Sequence, residues 1–385
     1  MKKATALLII FLLLNTSIVA IGGESSSPNK SILEKQIDRL HSLSITKHNN
    51  KIQNYKERLN NRFQSKVNNI VGDNIFSPED IELKDDAFHG ADTLHFTEWW
   101  YFDAVFDNGY TAQVGIRVLG VINQGIVSAR LDIYKEGELE SHELKKYLIW
   151  DFYASKDVPL IELKDKQVMD CHINETTGDW VYNLSLELDK SSVELCFVGR
   201  TKGWKGSTPG GKWAVILPRA DVSGTIKLKN EEINVSGVGY HDHNWEITIF
   251  TGINFGWFWG KVNSNSYTMI WSKIMTTRFW GQPLLVINKK NNGYMNIESG
   301  DIQFIAKDIR IEKGMLVPYS FDLKVQKEDV YLKVDIEVID THHERWVGII
   351  NYWRYHIKCT GSITIDSQTE IIDDIQLAEY IRFRR

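Results

Sequence analysis

Seven consecutive residues, Tyr240-His-Asp-His-Asn-Trp-Glu246, bring together two imidazoles, two carboxyls, an amide, a phenol and an indole. Groups of this kind move protons, hold metals or lock into hydrogen-bond networks. The flanking residues alternate apolar and polar, which predicts a strand. On a strand His241, His243 and Trp245 face one way, and Tyr240, Asp242, Asn244 and Glu246 face the other. Burying that much polarity unpaired would cost roughly 2–7 kcal/mol per group. The ladder therefore either lines a wet cavity or is tied into a closed network.

Two further groups carry the same flavour. In Glu98-Trp-Trp-Tyr-Phe102, Glu98, Trp100 and Phe102 share one strand face, and Trp99 and Tyr101 the other. A carboxyl among indoles is desolvated, which predicts a raised pKa and a proton donor near neutral pH. The plainer reading is an edge-strand glutamate with its head in water. Trp257-Phe-Trp-Gly260, Trp271 and Trp280 follow, and with Trp99, Trp100 and Trp245 they make seven of the 13 tryptophans. Such clustering predicts either an aromatic chamber or an ordinary domain-interface core.

These parts suit acid–base chemistry on an unsaturated apolar substrate. Asp242 or Glu98 would donate a proton, and His243 would orient the acid or activate water. Trp245, Trp99 or Trp271 would face the resulting cation, an attraction of roughly 0.5–2 kcal/mol per ring. The same parts serve a cyclisation or a double-bond shift. Other chemistries fare worse. His241-x-His243 with Glu98, His342 or His343 lacks diagnostic metal-ligand spacing, and Asp340-Thr-His-His-Glu344 is expected in a solvated loop. There is no Gly-x-Ser-x-Gly elbow, and Gly203, Gly206, Gly210 and Gly211 lack the Lys-Ser/Thr ending of a phosphate loop. Neither a metal nor another cofactor is expected.

The elements that must position these residues are strands. Runs such as Tyr110–Leu119, Trp180–Leu188, Tyr331–Val338 and Tyr355–Ile365 alternate or are β-branched. Turn signals separate them: Asp107-Asn-Gly, Glu136-Gly, Thr177-Gly-Asp, Pro209-Gly-Gly and Asn291-Asn-Gly. No helical pattern intervenes, so an all-β chain of antiparallel barrels or sandwiches is expected from residue 76 onward. At 385 residues two domains are expected, 76–246 and 247–385. Before them, residues 1–23 read as an export signal cleaved after Ala20, or as a membrane anchor left uncleaved. Residues 24–75 read as a linker and an amphipathic helix, with Ile52, Tyr55, Leu59, Phe63, Val67 and Ile70 on one face. The net charge of −5 gives no electrostatic case for nucleic acid. Three cysteines make no disulfide framework; Cys171 and Cys196 are read as buried free thiols, a bridge being the alternative.

Glu98-Trp-Trp-Tyr101, Gly237-x-Gly-Tyr-His-Asp-His-Asn-Trp245 and Trp257-x-Trp-Gly260 resemble the carotenoid 1,2-hydratases, or hydroxyneurosporene synthases, and the related AttH-like proteins. Arg354-Tyr-His, Gly361 and Glu379-Tyr-Ile-Arg-Phe383 resemble that family's closing strands. The resemblance implies two lipocalin-like barrels with an apolar-ligand site where they meet. It also implies cofactor-independent addition of water to an isoprenoid double bond, or a cyclase or isomerase on the same scaffold, with a non-catalytic lipid carrier as the alternative. His243 and Trp245 match positions implicated in the hydratases, and Tyr267 matches a third. The aspartate implied two residues after that tyrosine is absent, position 269 being methionine. The expected catalytic set is Asp242, His243, Glu98, His241 and Tyr267. The expected ligand-binding set is Trp99, Trp100, Tyr101, Tyr240, Asn244, Trp245, Trp257, Trp259 and Trp271. The partner expected is an apolar polyprenoid or other lipid.

Overall fold

The computed structural model describes residues 76–90, 96–121, 124–208, 211–247, 255–275, 281–290, 293–346 and 350–383. The export signal, the expected helix, Trp280 and the turns at 209–210 and 291–292 lie outside them. The described residues form 22 strands, numbered β1–β22 in chain order, with three short 3-10 turns and no α-helix. The fold is thus all-β, as the alternating runs and turn spacing require.

The strands build two antiparallel sheets, one of 13 strands and one of nine, and the two follow one plan. In the first, β2 (Phe96–Phe106) starts a four-strand meander, and the chain returns until β13 (Glu231–Trp245) pairs with β2. In the second, β14 (Gly256–Asn263) starts the meander and β22 (Gln368–Arg382) comes back to pair with it. The ends of each sheet are consecutive strands joined through one 3-10 turn, Ile149–Asp151 in the first and Ser299–Asp301 in the second. Each sheet therefore curls into a nearly closed barrel, a solution that leaves little exposed edge.

Alternation sets what each strand buries. Trp100, Phe102, Ala104 and Phe106 of β2 fill the first barrel with β3 and β4 residues such as Val114, Ile116, Leu131 and Ile133. Phe258, Trp271, Phe304, Phe321 and Trp353 fill the second. A third apolar cluster takes residues from both sheets: Trp204, Trp213 and Tyr240 from one, Trp259, Ile270 and Leu284 from the other. The barrels meet through outward-facing side chains. The glycines of the 237–245 motif are dictated by crowding. A Cβ on Gly239 would come within 2.6 Å of the Phe197 ring, and one on Gly237 within 2.1 Å of the Val105 carbonyl.

One expectation is corrected. Asp340–Glu344 is not a loop but part of β20 (Val330–Trp346), paired with β21 (Ile350–Ile365) across a register shift between Val338 and Asp340. The polarity that suggested solvent is instead directed into ion pairs, Arg130 of the first barrel binding Glu344. The cysteines are free, and Cys171 and Cys196 are half-buried rather than buried.

Candidate active site between the barrels

The 240–245 ladder splits by face, and each face enters a different environment. The inner face points into the first barrel. His241 stacks on Phe102 with ring centroids 3.7 Å apart, and its Nε2 lies 2.9 Å from Asp86 Oδ2. His243 stacks on Trp100, and its Nε2 lies 2.9 Å from Glu98 Oε1. Asp86 ends a 3-10 turn, Leu83–Asp86, which also accepts the Trp100 indole N–H at its main-chain carbonyl. Glu98 accepts main-chain N–H from His89 and Gly90, both at 2.8 Å. His89 lies over Trp245, rings stacked 4.0 Å apart.

Every heteroatom of His241, His243 and Glu98 on this face has a partner, and the three side chains are at most 1% exposed. The raised pKa expected for Glu98 is therefore wrong in sign. Burial pushes it up, but the His243 and His89 contacts and the main-chain amide outweigh burial and hold it at about 2. Near neutral pH it is an anion, not a proton donor. His89, Glu98 and His243 are close enough to share a cation, as are Asp132, His142 and Glu344. In the first set the carboxylate is already committed to main-chain donors, and in the second the Arg130 guanidinium supplies the positive charge between the carboxylates. His342 and His343 approach neither His241 nor His243: their partners are Glu344 and Asn351.

The outer face points between the barrels. Asp242 Oδ2 accepts from the Tyr240 hydroxyl at 2.8 Å and from the Trp213 indole at 3.0 Å, and Oδ1 accepts from Asn244 at 3.0 Å. Burial dominates nonetheless, and with help from Glu379 it raises the Asp242 carboxyl to about 7. This is the group poised to give and take a proton near neutral pH. Around it stand Tyr240, Tyr101 and Trp259, mutually in ring contact at 5.0–6.2 Å. Asp242 and His243, expected to work as a pair, sit on opposite faces of β13, each opposite its own partner on β2 in unbroken register, the register shifts beside Asp242 falling on the β12 side.

The second barrel contributes the remaining wall. Lys261 of β14 pairs with Asp103, which also accepts the Tyr101 hydroxyl at 2.9 Å. Glu379 of β22 accepts from the Trp257 indole at 2.6 Å and faces Arg354 of β21 at 3.4 Å. Arg354 has its Cζ 5.2 Å from both the Tyr101 and Tyr352 rings. Across from it β4 (Gln124–Lys135) presents Arg130, Asp132 and Tyr134, and β3 (Tyr110–Val121) presents Arg117 between Trp99 and Trp346.

Of the residues singled out in the sequence, Asp242, Tyr240, Asn244, Tyr101, Trp257 and Trp259 meet between the barrels, with Trp99 beside Arg117. Glu98, His241, His243, Trp100 and Trp245 meet inside the first barrel. Tyr267 and Trp271 join neither group, because their parity on β15 (Tyr267–Met275) turns them into the core of the second barrel. Asp86, His89, Asp103, Trp213 and Lys261 were missed. Asp86 and His89 come from an irregular segment with no periodic signal. Arg354 and Glu379 stood in the closing-strand motifs but carried no sign of their burial.

No protein-family description and no curated protein matches the sequence. Among solved structures, the fold is similar to a putative AttH from Nitrosomonas europaea, at 14% identity and a TM-score of 0.57, over 80% of this chain and 98% of that one. It is also similar to kievitone hydratase from Nectria haematococca, at 11% identity and a TM-score of 0.46, over 77% and 91% of the two chains. CghA matches at 9% identity and a TM-score of 0.48, over 76% of this chain and 89% of that one. Identity this low speaks to architecture alone: the described residues have the double-barrel, lipocalin-like fold.

Proposed function

We propose that this protein acts on an apolar, isoprenoid-type lipid held between its barrels, by acid–base hydration or isomerisation of a carbon–carbon double bond, in the manner of the carotenoid 1,2-hydratases. The observation that carries the reading is Asp242, a buried carboxyl raised to about 7 and walled by Tyr240, Tyr101 and Trp259. In hydration, its proton passes to one alkene carbon, water adds to the other, and the proton that water loses restores the acid. The aromatic faces stabilise the cationic stage. In isomerisation, the cation instead loses a proton from the adjacent carbon. His241, His243 and Glu98 then fix the strand that carries Asp242 rather than touching substrate.

A second reading, a non-catalytic carrier, is favoured by the three donors that already satisfy both Asp242 oxygens. On either reading the protein is exported or held to a membrane by its N-terminal segment, where such lipids reside. Incubation with an acyclic polyprenoid in oxygen-18-labelled water separates the two. A labelled alcohol or a shifted double bond, lost about a hundredfold in Asp242→Asn, supports catalysis. Tryptophan quenching by the polyprenoid with no product formed supports the carrier. An absence of both sinks the proposal.

A further inference from the structure

One corner of the inter-barrel site has more hydrogen-bonding capacity than partners. Arg354 is fully buried, yet among the described residues its Nε and Nη1 have no partner, and its one carboxylate contact there is the 3.4 Å approach of Glu379 to Nη2. The Tyr352 hydroxyl, the Tyr134 hydroxyl and His356 Nε2 are likewise buried and unpaired. These are one cluster. Tyr352, Arg354 and His356 alternate along β21, so they share its outer face. Tyr134 lies against the His356 ring at 4.6 Å, and Arg354 lies over Tyr352. Unpaired buried donors are rare in folded proteins, and a guanidinium left with two of them is costly. His356 is held neutral, its pKa pushed down to about 3 by burial and by Arg354, so it adds a donor or acceptor but no charge. Nearby, Arg117 stacks between Trp99 and Trp346, with no carboxylate in contact among the described residues.

Resting on the function proposed above, we infer that the substrate carries an acidic, carboxylate-type head, bound by Arg354 with Tyr352, and that its reacting double bond is conjugated to that head. The planar fork of a guanidinium matches two oxygens of a carboxylate or an enolate. The second half follows from the chemistry of Asp242. Conjugation to the head gives the charge of the addition a place to go, the oxygen held by Arg354, and leaves Asp242 an enolate carbon to protonate. In the conjugated case water adds to the β-carbon and the π electrons move onto the head oxygen. Arg354 holds that oxyanion while Asp242 protonates the α-carbon, and the proton lost by water returns to Asp242. The two groups lie on one wall: Tyr101 contacts the Tyr240 ring beside Asp242 and the Arg354 guanidinium.

The test compares all-trans-retinoic acid with its methyl ester, read by quenching of tryptophan fluorescence in the full chain. The ester keeps the apolar body and removes the charge. The acid should bind about tenfold tighter than the ester, the scale of a charge-assisted bidentate contact. Arg354→Met should bring the acid down to the ester's affinity and leave the ester unchanged. Tyr352→Phe removes one hydroxyl and should cost the acid about threefold, with the ester again unchanged. It serves as the deciding variant if circular dichroism shows Arg354→Met misfolded. Equal binding of acid and ester, or equal losses for both in the variants, overturns the head-group inference while leaving the apolar site standing. Failure of both to bind overturns the two proposals together.

Discussion

The two faces of β13 are built from the same residue types and end in opposite chemical states. Inside the first barrel, two histidines meet two carboxylates, every ring is stacked, and Glu98 is driven down to about 2. On the other side of the same backbone, one carboxyl meets neutral donors only, and is driven up to about 7. The difference lies in the partners, since both environments are buried. Imidazoles and main-chain amides compensate a carboxylate's lost hydration, whereas a phenol, an indole and an amide compensate it incompletely. Polarity on a buried strand thus marks a site only where its partners leave a titration unfinished.

The comparison can be broken most forcefully from the inner face. Glu98→Ala strips two main-chain amides and His243 of their acceptor, and should cost about 3–5 kcal/mol. Denaturant unfolding at neutral pH should show it, and a loss within the error of a surface mutation would mean that the inner face is not a closed network. The wild-type counterpart is a pH effect. Because the folded pKa of Glu98 lies below its usual 4.5, the stability it confers is complete above about 4.5 and is lost as pH falls toward 2. An acid melt should resolve that loss, and Glu98→Gln should remove it.

The outer face should respond in the opposite sense. Asp242 is raised from 3.8, so its contribution is fullest below about 4 and declines as pH climbs through about 7. Asp242→Asn should therefore lose turnover about a hundredfold while melting higher than the wild type at pH 8. A lower melting temperature at both pH 5 and pH 8 would contradict the assignment of an uncompensated carboxyl. Tyr240→Phe is subtler. Removing one hydroxyl donor should raise the Asp242 pKa further, shifting the alkaline limb of the pH–rate profile upward, and cost about 1 kcal/mol of stability. The smallest effect is expected at Lys273, on the inward face of β15, whose pKa burial lowers with no carboxylate in contact among the described residues. Lys273→Met should stabilise by about 1 kcal/mol or less, with ligand binding untouched, as measured by thermal melting and tryptophan quenching.

How far the sequence spoke is visible in particular residues. Period-2 alternation is a backbone property, so the strands, the turns at 107–109, 136–137 and 177–179, and the division of the 240–245 ladder between two faces were legible. Partners are a tertiary property and were not. Glu98 was assigned the wrong pKa direction because His89 and His243 reach it from segments that no local pattern connects. Tyr267 was drawn into the site by the family resemblance and Trp271 by the clustering of tryptophans, whereas strand parity turns both into the second barrel. Asp340–Glu344 was misplaced in a loop because its polarity is spent on Arg130, more than two hundred residues earlier in the chain.

The shared plan of the two sheets bears on how the protein folds. In each barrel the opening strand, β2 or β14, finds its last neighbour only when the closing strand, β13 or β22, has arrived. The intervening hairpins form from local contacts, whereas each closure joins distant parts of the chain and is entropically the costly step. The wall around Asp242 draws on β2, β13, β14, β21 and β22, the very strands that make or flank those two closures. Proton transfer competence therefore arises late in folding, after both barrels have shut. Until then the chain displays two pairs of unsatisfied edges, making the interval before closure the one in which aggregation competes with folding.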